Sequence, residues 1–280
     1  MRDETGVTLV ELLVAMVIGL VVMAAIYSTY NSQQQQYLVQ EQVAGMQQNL
    51  RAGMYFMSRE ARMAGYDPTQ SGNFGLTDIR YYDLNDVLNT NGYPKITFTV
   101  DYDEDGTVGA NETISYFMFD TGPYGGTSDG VTDLGRNAGA GGNQLLAEAV
   151  ESLGLAYAFD QDGDGELDTS GGFVVWAIDS NNDNLLDLNL DTNGDGVIDA
   201  SDDTNGDGII EGVALAAPVP LADIRAVKIW ILARTDKVIR GQDDTDTYVV
   251  GRRVITPTGS ATAFKRRLLI TTVRCRNLNT

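Results

Sequence analysis

GVTLVELLVAMVIGLVVMAAI, residues 6–26, consists of apolar and small residues apart from Thr8 and Glu11. A helix of about 20 such residues is long enough to cross the hydrocarbon core of a bilayer. Only MRDETG, residues 1–6, precedes Val7, which is too short for a secretory leader with its own apolar region. Residues 7–26 include no basic residue, and an unpaired carboxylate costs about 2.5–3.5 kcal/mol at the centre of a bilayer. We therefore predict a membrane helix over residues 7–26 whose single acid takes its partner from another molecule.

The short charged leader ending in Gly6 and the following V-T-L-V-E-L-L resemble the signal of type IV prepilins. The resemblance implies that a prepilin peptidase cuts between Gly6 and Val7 and that Val7 is then methylated. It also implies that Glu11 pairs with the N-terminal amine of a neighbouring subunit during assembly. Val7 stands where the family more often has Phe. An ordinary signal anchor with a stray Glu is the alternative, and leader length, Gly6 and Glu11 together argue against it.

The helical pattern continues beyond the membrane segment. Val43, Met46, Leu50, Met54, Met57, Ala61 and Ala64 recur at steps of three and four residues. This spacing is typical of an amphipathic helix with one apolar face. We predict one helix from Val7 to about Met63, within a segment 7–64 that Gly65 and Asp67-Pro68 terminate.

Downstream, the apolar period changes to two, which indicates strands. The predicted strands are residues 95–100, 113–119, 151–159, 173–178, 224–234 and 264–274. We predict an α+β fold, in which the second half of the helix packs on an antiparallel sheet, and a β-rich globular domain over residues 65–280. The Gly-rich stretches 122–130 and 135–143 are predicted to be loops.

Composition excludes several functional classes. The net charge of −20 makes nucleic acid a poor partner. The chain has no His, which removes His-based triads and most zinc sites. Cys275 is the single cysteine, so an internal disulfide is impossible, and we expect this thiol to be buried. Phosphate-binding and dinucleotide-binding Gly motifs are absent from the sequence. The sequence therefore predicts a protein that is not an enzyme.

Four further segments resemble one particular kind of type IV pilin. They are LRAGMYFMSREARMAGYDP (50–68), AVESLGLAYAFDQDGDG (149–165), ADIRAVKIWILART (222–235) and FKRRLLITTVRCRNL (264–278). Together they resemble the PilW-type minor pilins, and with the leader they cover somewhat under half of the chain. The type IV pilin fold that this resemblance implies is a long N-terminal helix on an antiparallel sheet. Residues 179–212 look like an insertion into that fold.

Five acidic loops have the spacing of EF-hand-type calcium loops. In such a loop, positions 1, 3 and 5 supply side-chain oxygens, position 7 a carbonyl, and positions 9 and 12 further oxygens. The predicted ligands of the first loop (residues 101–112) are Asp101, Asp103, Asp105, Thr107 and Glu112. Those of the second loop (160–168) are Asp160, Asp162, Asp164, Glu166 and Asp168. The second loop has no acid at position 12, so its closing ligand must come from elsewhere or from water.

The other three loops repeat every twelve residues. The third loop (179–187) offers Asp179, Asn181, Asp183, Leu185 and Asp187. The fourth (191–202) offers Asp191, Asn193, Asp195, Val197, Asp199 and Asp202. The fifth (203–211) offers Asp203, Asn205, Asp207, Ile209 and Glu211. The array resembles the calcium-loop repeats of dockerins and thrombospondin type 3 segments. We predict Ca²⁺ as the cofactor, and we expect the ten acids of 179–211 to repel one another and disorder the segment without metal.

The resemblance implies a minor pilin that takes part in assembly or initiation of a type IV pilus. It would cross the inner membrane once, with its globular domain in the periplasm, and later reach the pilus and the cell surface. The expected partners are other pilin and minor pilin subunits and the prepilin peptidase. A type II secretion pseudopilin is one alternative. A calcium-dependent tip adhesin, with residues 101–211 as its binding surface, is another.

Overall fold

The computed structural model describes residues 7–120 and 130–278 of the 280-residue chain. Helix α1 runs over Leu9–Ala61. It is about 80 Å long at 1.5 Å per residue. The helix ends two residues before the predicted Met63, and Gly65 follows at a φ of 76°, where its N–H donates to the carbonyl of Thr99 at 3.0 Å. The chain divides into two compact units, Met1–Ala44 and Gly45–Thr280, so the boundary lies inside α1.

In the N-terminal unit, every side chain of residues 7–38 is exposed. The apolar residues of this part of α1 are exposed, and the helix is long and apolar enough to cross a membrane. Exposed apolar surface of this extent requires a membrane or a protein partner.

In the second unit, the strands in chain order are β1 Leu76–Asp78, β2 Tyr81–Tyr82, β3 Tyr93–Pro94, β4 Ile96–Thr99, β5 Thr113–Phe119, β6 Asp133–Ala138, β7 Asn143–Ala147, β8 Val150–Phe159, β9 Thr169–Ser170, β10 Phe173–Val174, β11 Ala177–Ile178, β12 Leu185–Asn189, β13 Val213–Pro220, β14 Ile224–Arg234, β15 Tyr248–Val250, β16 Arg253–Ile255 and β17 Arg266–Arg274. Short 3-10 helices lie at Gly139–Gly141, Ala200–Asp202, Leu221–Asp223 and Gly259–Ala263. The strands form two larger antiparallel sheets and three two-stranded ones.

The carboxyl-terminal part of α1 packs on the five-stranded sheet, whose order is β1-β4-β5-β6-β7. A Cβ at Gly53 would lie 3.1 Å from Leu134 Cδ2, so this glycine lets the helix approach β6 closely. Glu60 accepts hydrogen bonds from Tyr116 and, in a bidentate ion pair at 2.8 Å, from Arg136. The predicted α+β architecture, with a long N-terminal helix on an antiparallel sheet, is confirmed.

The six-stranded sheet has the order β13-β12-β11-β8-β14-β17. Its centre is the pairing of β14 with β8 and β17, which places Trp230 opposite Gly154 and Ile270. The strands predicted at 113–119 and 224–234 form with those bounds, while Lys95, Val100, Phe264 and Lys265 fall outside their strands. Cys275 is buried, as predicted.

Two predictions about the β-rich domain are wrong. Residues 135–143 are not a loop, because β6 and β7 form a hairpin that turns through Gly139–Gly141. Gly135 lies in β6 for a packing reason, since a Cβ there would lie 2.8 Å from the Phe119 ring. Residues 173–178 are not one strand but two short ones, which pair in different sheets. The other predicted Gly-rich loop, 122–130, lies almost wholly outside the described residues.

The acidic segment 179–212 supplies one strand, β12, and several core residues to the domain. β12 and the first residues of β13 flank the fourth and fifth loops, and both strands belong to the six-stranded sheet. Leu186, Leu190 and Ile210 are fully buried. Leu190 and Ile210 share a hydrophobic cluster with Trp230 and Tyr81. Ile210, the apolar residue at position 8 of the fifth loop, therefore belongs to this cluster, and its counterpart in the third loop, Leu186, is also fully buried.

Candidate metal sites and the N-terminal segment

The five acidic loops share one backbone conformation. The fourth residue of each has a φ between 62 and 76°, and the sixth a φ between 66 and 88°. These residues are Glu104, Gly163, Asn182, Gly194 and Gly206 at position 4, and Gly106, Gly165, Asn184, Gly196 and Gly208 at position 6. Gly and Asn adopt this left-handed region most readily, which explains their recurrence. Asn182 and Asn184 therefore replace Gly in the third loop without changing its course.

The Asp at position 1 organises each loop by accepting backbone N–H groups. Asp160 accepts from Gly163 and Gly165, at 2.8 and 3.1 Å. Asp179, Asp191 and Asp203 each accept three N–H groups, from the fourth, fifth and sixth residues of their loops. Among the residues that the structure describes, Asp101 accepts only one N–H, from Gly106 at 3.2 Å. Because the position-1 carboxylates of the last three loops have their oxygens so occupied, those loops are held closed by the protein itself.

In each loop, the backbone N–H of the residue at position 7 donates a hydrogen bond to the carboxylate at position 5. The N–H groups of Thr107, Glu166, Leu185, Val197 and Ile209 donate to the position-5 carboxylates Asp105, Asp164, Asp183, Asp195 and Asp207, at 2.7–2.9 Å. Asp105 also accepts the Thr107 hydroxyl at 2.7 Å, and the Thr107 donors lower the pKa of this carboxyl. A carboxylate fixed in this way is aligned before any ligand arrives.

A second acid closes each loop by accepting the N–H of its second residue. In the first and fourth loops this acid is at position 12. Glu112 Oε1 lies 2.7 Å from the Tyr102 nitrogen, and Asp202 Oδ1 lies 2.6 Å from the Thr192 nitrogen. The second loop has no acid at position 12, and the acid that closes it is Asp168 at position 9, which accepts the Gln161 N–H at 3.2 Å.

The third and fifth loops also close at position 9. Asp187 accepts both the N–H and the hydroxyl of Ser180, at 2.8 and 2.7 Å, and Glu211 accepts those of Thr204, at 3.1 and 3.0 Å. Asp199, the position-9 acid of the fourth loop, instead caps the 3-10 helix Ala200–Asp202 by accepting the Ser201 N–H. The loops are therefore closed in two ways, by an acid at position 12 in the first and fourth loops and by an acid at position 9 in the other three.

Three groups of acids within the described ranges converge closely enough to hold a metal ion. Each brings three carboxylate oxygens to within 4.8 Å of one another. The groups are Asp101, Asp103 and Glu112 in the first loop, Asp160, Asp162 and Asp164 in the second, and Asp203, Asp207 and Glu211 in the fifth. All three tandem loops have Asn at position 3, and Asn181, Asn193 and Asn205 donate to Asp183, Asp195 and Asp207 at 3.0–3.2 Å. An amide at position 3 therefore accompanies both the convergent fifth loop and the third and fourth loops.

The first loop carries an unpaired buried carboxylate oxygen. Asp101 is 0 % exposed, and its Oδ1 has no hydrogen-bond partner among residues 7–120 and 130–278. A buried charge without a partner is costly. Carboxylate oxygens are also the ligands that Ca²⁺ and Mg²⁺ take. The donor set and the unpaired oxygen therefore fit a hard divalent cation at this loop.

The pKa values of the loop carboxyl groups are shifted in different directions. The Gly109 N–H, together with those of Tyr102 and Asp103, lowers the pKa of Glu112. Desolvation and the charges of Asp105 and Glu112 raise the pKa of Asp103. In the third loop, desolvation raises the pKa of Asp179 in spite of its three N–H donors.

At the N-terminus, the structure gives Glu11 a partner that sequence reasoning missed. Glu11 Oε2 accepts the N–H and the hydroxyl of Thr8, at 2.9 and 3.0 Å, and the Glu11 N–H donates to Thr8 Oγ1 at 3.3 Å. This is a capping box, and its signature T-x-x-E is visible in the sequence. The expectation that only another molecule supplies a partner is corrected to this extent, because the partner is polar but uncharged. Val7 is exposed, and Gly6 lies outside the described residues.

Comparison with known proteins bears on the N-terminal segment. Residues 1–27 match the family described as the prokaryotic N-terminal methylation motif. No curated protein matches the chain. Among solved structures, a type IV-like pilin from Thermus thermophilus is similar, with 14% sequence identity, coverage of 83% of this chain and 97% of that chain, and a TM-score of 0.41. The chain thus carries a prepilin-type N-terminal methylation signal, followed by a helix long and apolar enough to cross a membrane.

Proposed function

We propose that the protein is a PilW-type minor pilin that is built into a type IV pilus through its N-terminal helix. The observation that carries the proposal is the methylation motif over residues 1–27, which leads directly into α1. In the proposal, residues 7–26 hold the precursor in the inner membrane with the globular domain in the periplasm. A prepilin peptidase cuts after Gly6, and the subunit then joins other pilins and minor pilins in the filament and at the cell surface.

Glu11 has the central role in this assembly. An acid in an apolar filament core or a bilayer requires a compensating charge, and the N-terminal amine that cleavage creates on a neighbouring subunit supplies one. The capping box with Thr8 adds a second role within the chain, since it satisfies N–H groups at the start of α1.

Three single variants, scored by sheared-filament content, test the assembly role. Glu11→Ala removes the charge, and we expect normal cleavage and methylation but at least about tenfold less protein in filaments, a coupling of roughly 1.4 kcal/mol. Thr8→Ala removes the hydroxyl of the capping box and keeps the charge, so incorporation should stay close to wild type. Glu41→Ala is the matched control, because Glu41 is an exposed acid on the same helix outside residues 7–26.

Normal incorporation of Glu11→Ala would refute the assembly role. Equal loss in Thr8→Ala and Glu11→Ala would assign the effect to helix capping instead. If strains that lack the protein keep their pili and lose enzyme secretion, the protein is a type II secretion pseudopilin.

We further propose that Ca²⁺ binds the acidic loops and stabilises the globular domain. The three convergent carboxylate groups and the unpaired Asp101 oxygen support this. Their ligands would be the position-1, -3, -5, -9 and -12 side chains and the position-7 carbonyls. These loops offer more protein oxygens than Mg²⁺ usually takes, which favours Ca²⁺.

A further inference from the structure

We infer that the cation in the first loop fixes the exit segment, residues 64–75, through which the chain leaves α1. The inference rests on the proposed calcium binding and assigns one of the five loops a task that the others do not share. The residues that would hold the ion are Asp101, Asp103 and Glu112, whose carboxylates converge to within 4.8 Å.

The first loop and the exit segment are joined at three points. The Asp101 N–H donates to the carbonyl of Tyr66 at 2.9 Å, so the first ligand residue is itself hydrogen-bonded to the exit segment. Asn73 Nδ2 donates to the carbonyl of Gly106 at 3.0 Å, and the Tyr66 hydroxyl lies 3.5 Å from Glu104 Oε1. Both ends of the loop's tight turn are thereby tied to residues 66 and 73.

Close packing adds to these bonds at the loop's sixth position. A Cβ at Gly106 would lie 2.6 Å from Thr69 Oγ1 and 3.5 Å from Ser71 Cβ. The exit segment presents a preformed surface here, because the Asp67 carboxylate accepts the hydroxyls of Thr69 and Ser71 and the N–H of Gly72 at 2.8–2.9 Å. A movement of the turn at Gly106 therefore displaces the exit segment or breaks its contacts.

Two features make the position of the first loop depend on an ion, and the fifth loop shares them in part, since its Glu211 Oε1 is also buried without a partner among the described residues. Three carboxylates within 4.8 Å repel one another unless a cation lies between them. Asp101 has only one N–H donor to hold it, and its buried Oδ1 lacks a partner in the described part of the chain. Without an ion, we expect Asp101 to leave its buried position and to take the Tyr66 and Asn73 contacts with it.

The third and fifth loops are attached to other parts of the domain. Asn182 and Asn184 accept the N–H groups of Tyr81 and Ile79, at 2.8 and 3.1 Å. The carbonyl of Gly208 accepts from the Val254 N–H at 2.8 Å, next to the bridge between Ile209 and Arg253. An ion in either of these loops acts on residues 77–81 or 252–254 rather than directly on the helix exit.

Hydrogen–deuterium exchange of the full-length protein in detergent micelles tests the inference, with CaCl₂ compared against EGTA. In wild type, we expect Ca²⁺ to slow amide exchange in the 64–75 peptide by at least about tenfold. Asp101→Asn should abolish this protection. Asp236→Asn, which removes one exposed negative charge elsewhere, should keep it.

Asn73→Ala is the variant that separates coupling from binding. It leaves all three carboxylates in place and removes the bond to the Gly106 carbonyl. We expect Ca²⁺ still to slow exchange in the 101–112 peptide of this variant, while protection of 64–75 falls several-fold. Should Asp101→Asn fail to fold, as judged by circular dichroism, Asn73→Ala alone decides the matter.

The outcomes distinguish the inference from the proposal on which it rests. If Ca²⁺ slows exchange within 101–112 or 179–211 but not within 64–75, the inference is wrong and calcium binding stands. If Ca²⁺ changes exchange in none of these peptides, both are wrong. Unchanged protection of 64–75 in Asp101→Asn would also overturn the inference.

Discussion

The first and third loops share one backbone conformation but differ in how many hydrogen bonds the protein itself supplies to their acids. In the third loop, Asp179 accepts three N–H groups, and Ser180 occupies both oxygens of Asp187. In the first loop, Asp101 accepts one N–H and keeps a buried oxygen without a partner in the described residues. The third loop can hold its shape through its own hydrogen bonds, whereas in our proposal a cation holds the first. Acid spacing predicts the shape of a loop, and the donors around the acids determine its dependence on an ion.

Calcium removal should produce the largest effect. For an ion present at about 100 times its Kd, the loss of stability is roughly 2.7 kcal/mol per site. In a domain of this size, that corresponds to a fall in Tm of about 5–10 °C. We expect EGTA to lower the Tm by this amount and to make the first loop sensitive to protease before the third.

The order in which a protease cleaves the first and third loops in EGTA tests which of them depends more on the ion. An unchanged Tm on addition of EGTA would remove the calcium proposal altogether. Cleavage that starts within 179–187 would instead support the expectation that the tandem segment is the part that loses order without metal. Addition of excess MgCl₂ in place of CaCl₂ serves as the control for a nonspecific charge effect.

Much of the fold follows from local patterns. The exposed apolar run of residues 7–26 and the buried stripe through Leu50, Met54 and Met57 appear where the periodicity predicts them. The 135–143 hairpin could not be predicted, because Gly135 looks like a loop residue until the rings of Phe117 and Phe119 are placed beside it. Tertiary packing determines its conformation.

The acidic loops, too, are predictable from the sequence only in part. The left-handed positions of the loops follow from Gly and Asn at fixed offsets. Their closure does not, since the fourth loop uses Asp202 only because a 3-10 helix over Ala200–Asp202 carries that side chain back to Thr192. The link between the first loop and the exit segment joins residues about 35 positions apart and leaves no trace in the spacing.

Asp→Asn substitutions at position 1 of the first and third loops should produce an effect of intermediate size. We expect this effect to depend on Ca²⁺ in the first loop and not in the third. Asp179→Asn replaces two acceptor oxygens with one, so at least one of three N–H groups loses its acceptor. We expect the free energy of unfolding to fall by about 1–3 kcal/mol with or without Ca²⁺. Asp101→Asn keeps an oxygen for Gly106 and removes the unpaired charge, so it should cost little in EGTA and lose most of the first loop's share of the calcium stabilisation.

Denaturant unfolding of wild type and both variants, each with Ca²⁺ and with EGTA, measures the free energy of unfolding and how far each substitution changes the stabilisation by Ca²⁺. A calcium-dependent cost for Asp179→Asn equal to that of Asp101→Asn would show that the two loops depend on the ion alike. Wild-type stability of Asp179→Asn in EGTA would show that its N–H bonds do not hold the third loop.

Asn182→Gly should produce the smallest effect and isolates the protein's own share in holding the third loop. Asn182 accepts the Tyr81 N–H at 2.8 Å and donates to the Tyr81 carbonyl at 3.2 Å, while its own φ of 64° suits glycine. Gly206 occupies the same position in the fifth loop, so the substitution keeps the loop conformation and removes only the two bonds to Tyr81. The two bonds contribute about 0.5–1.5 kcal/mol each, and glycine recovers part of this loss by relieving the left-handed strain at Asn182. We therefore expect a net loss of about 1–2 kcal/mol in denaturant unfolding, equal in Ca²⁺ and in EGTA. A loss confined to EGTA would mean that an ion can replace these bonds, and the third loop would then depend on calcium as the first does.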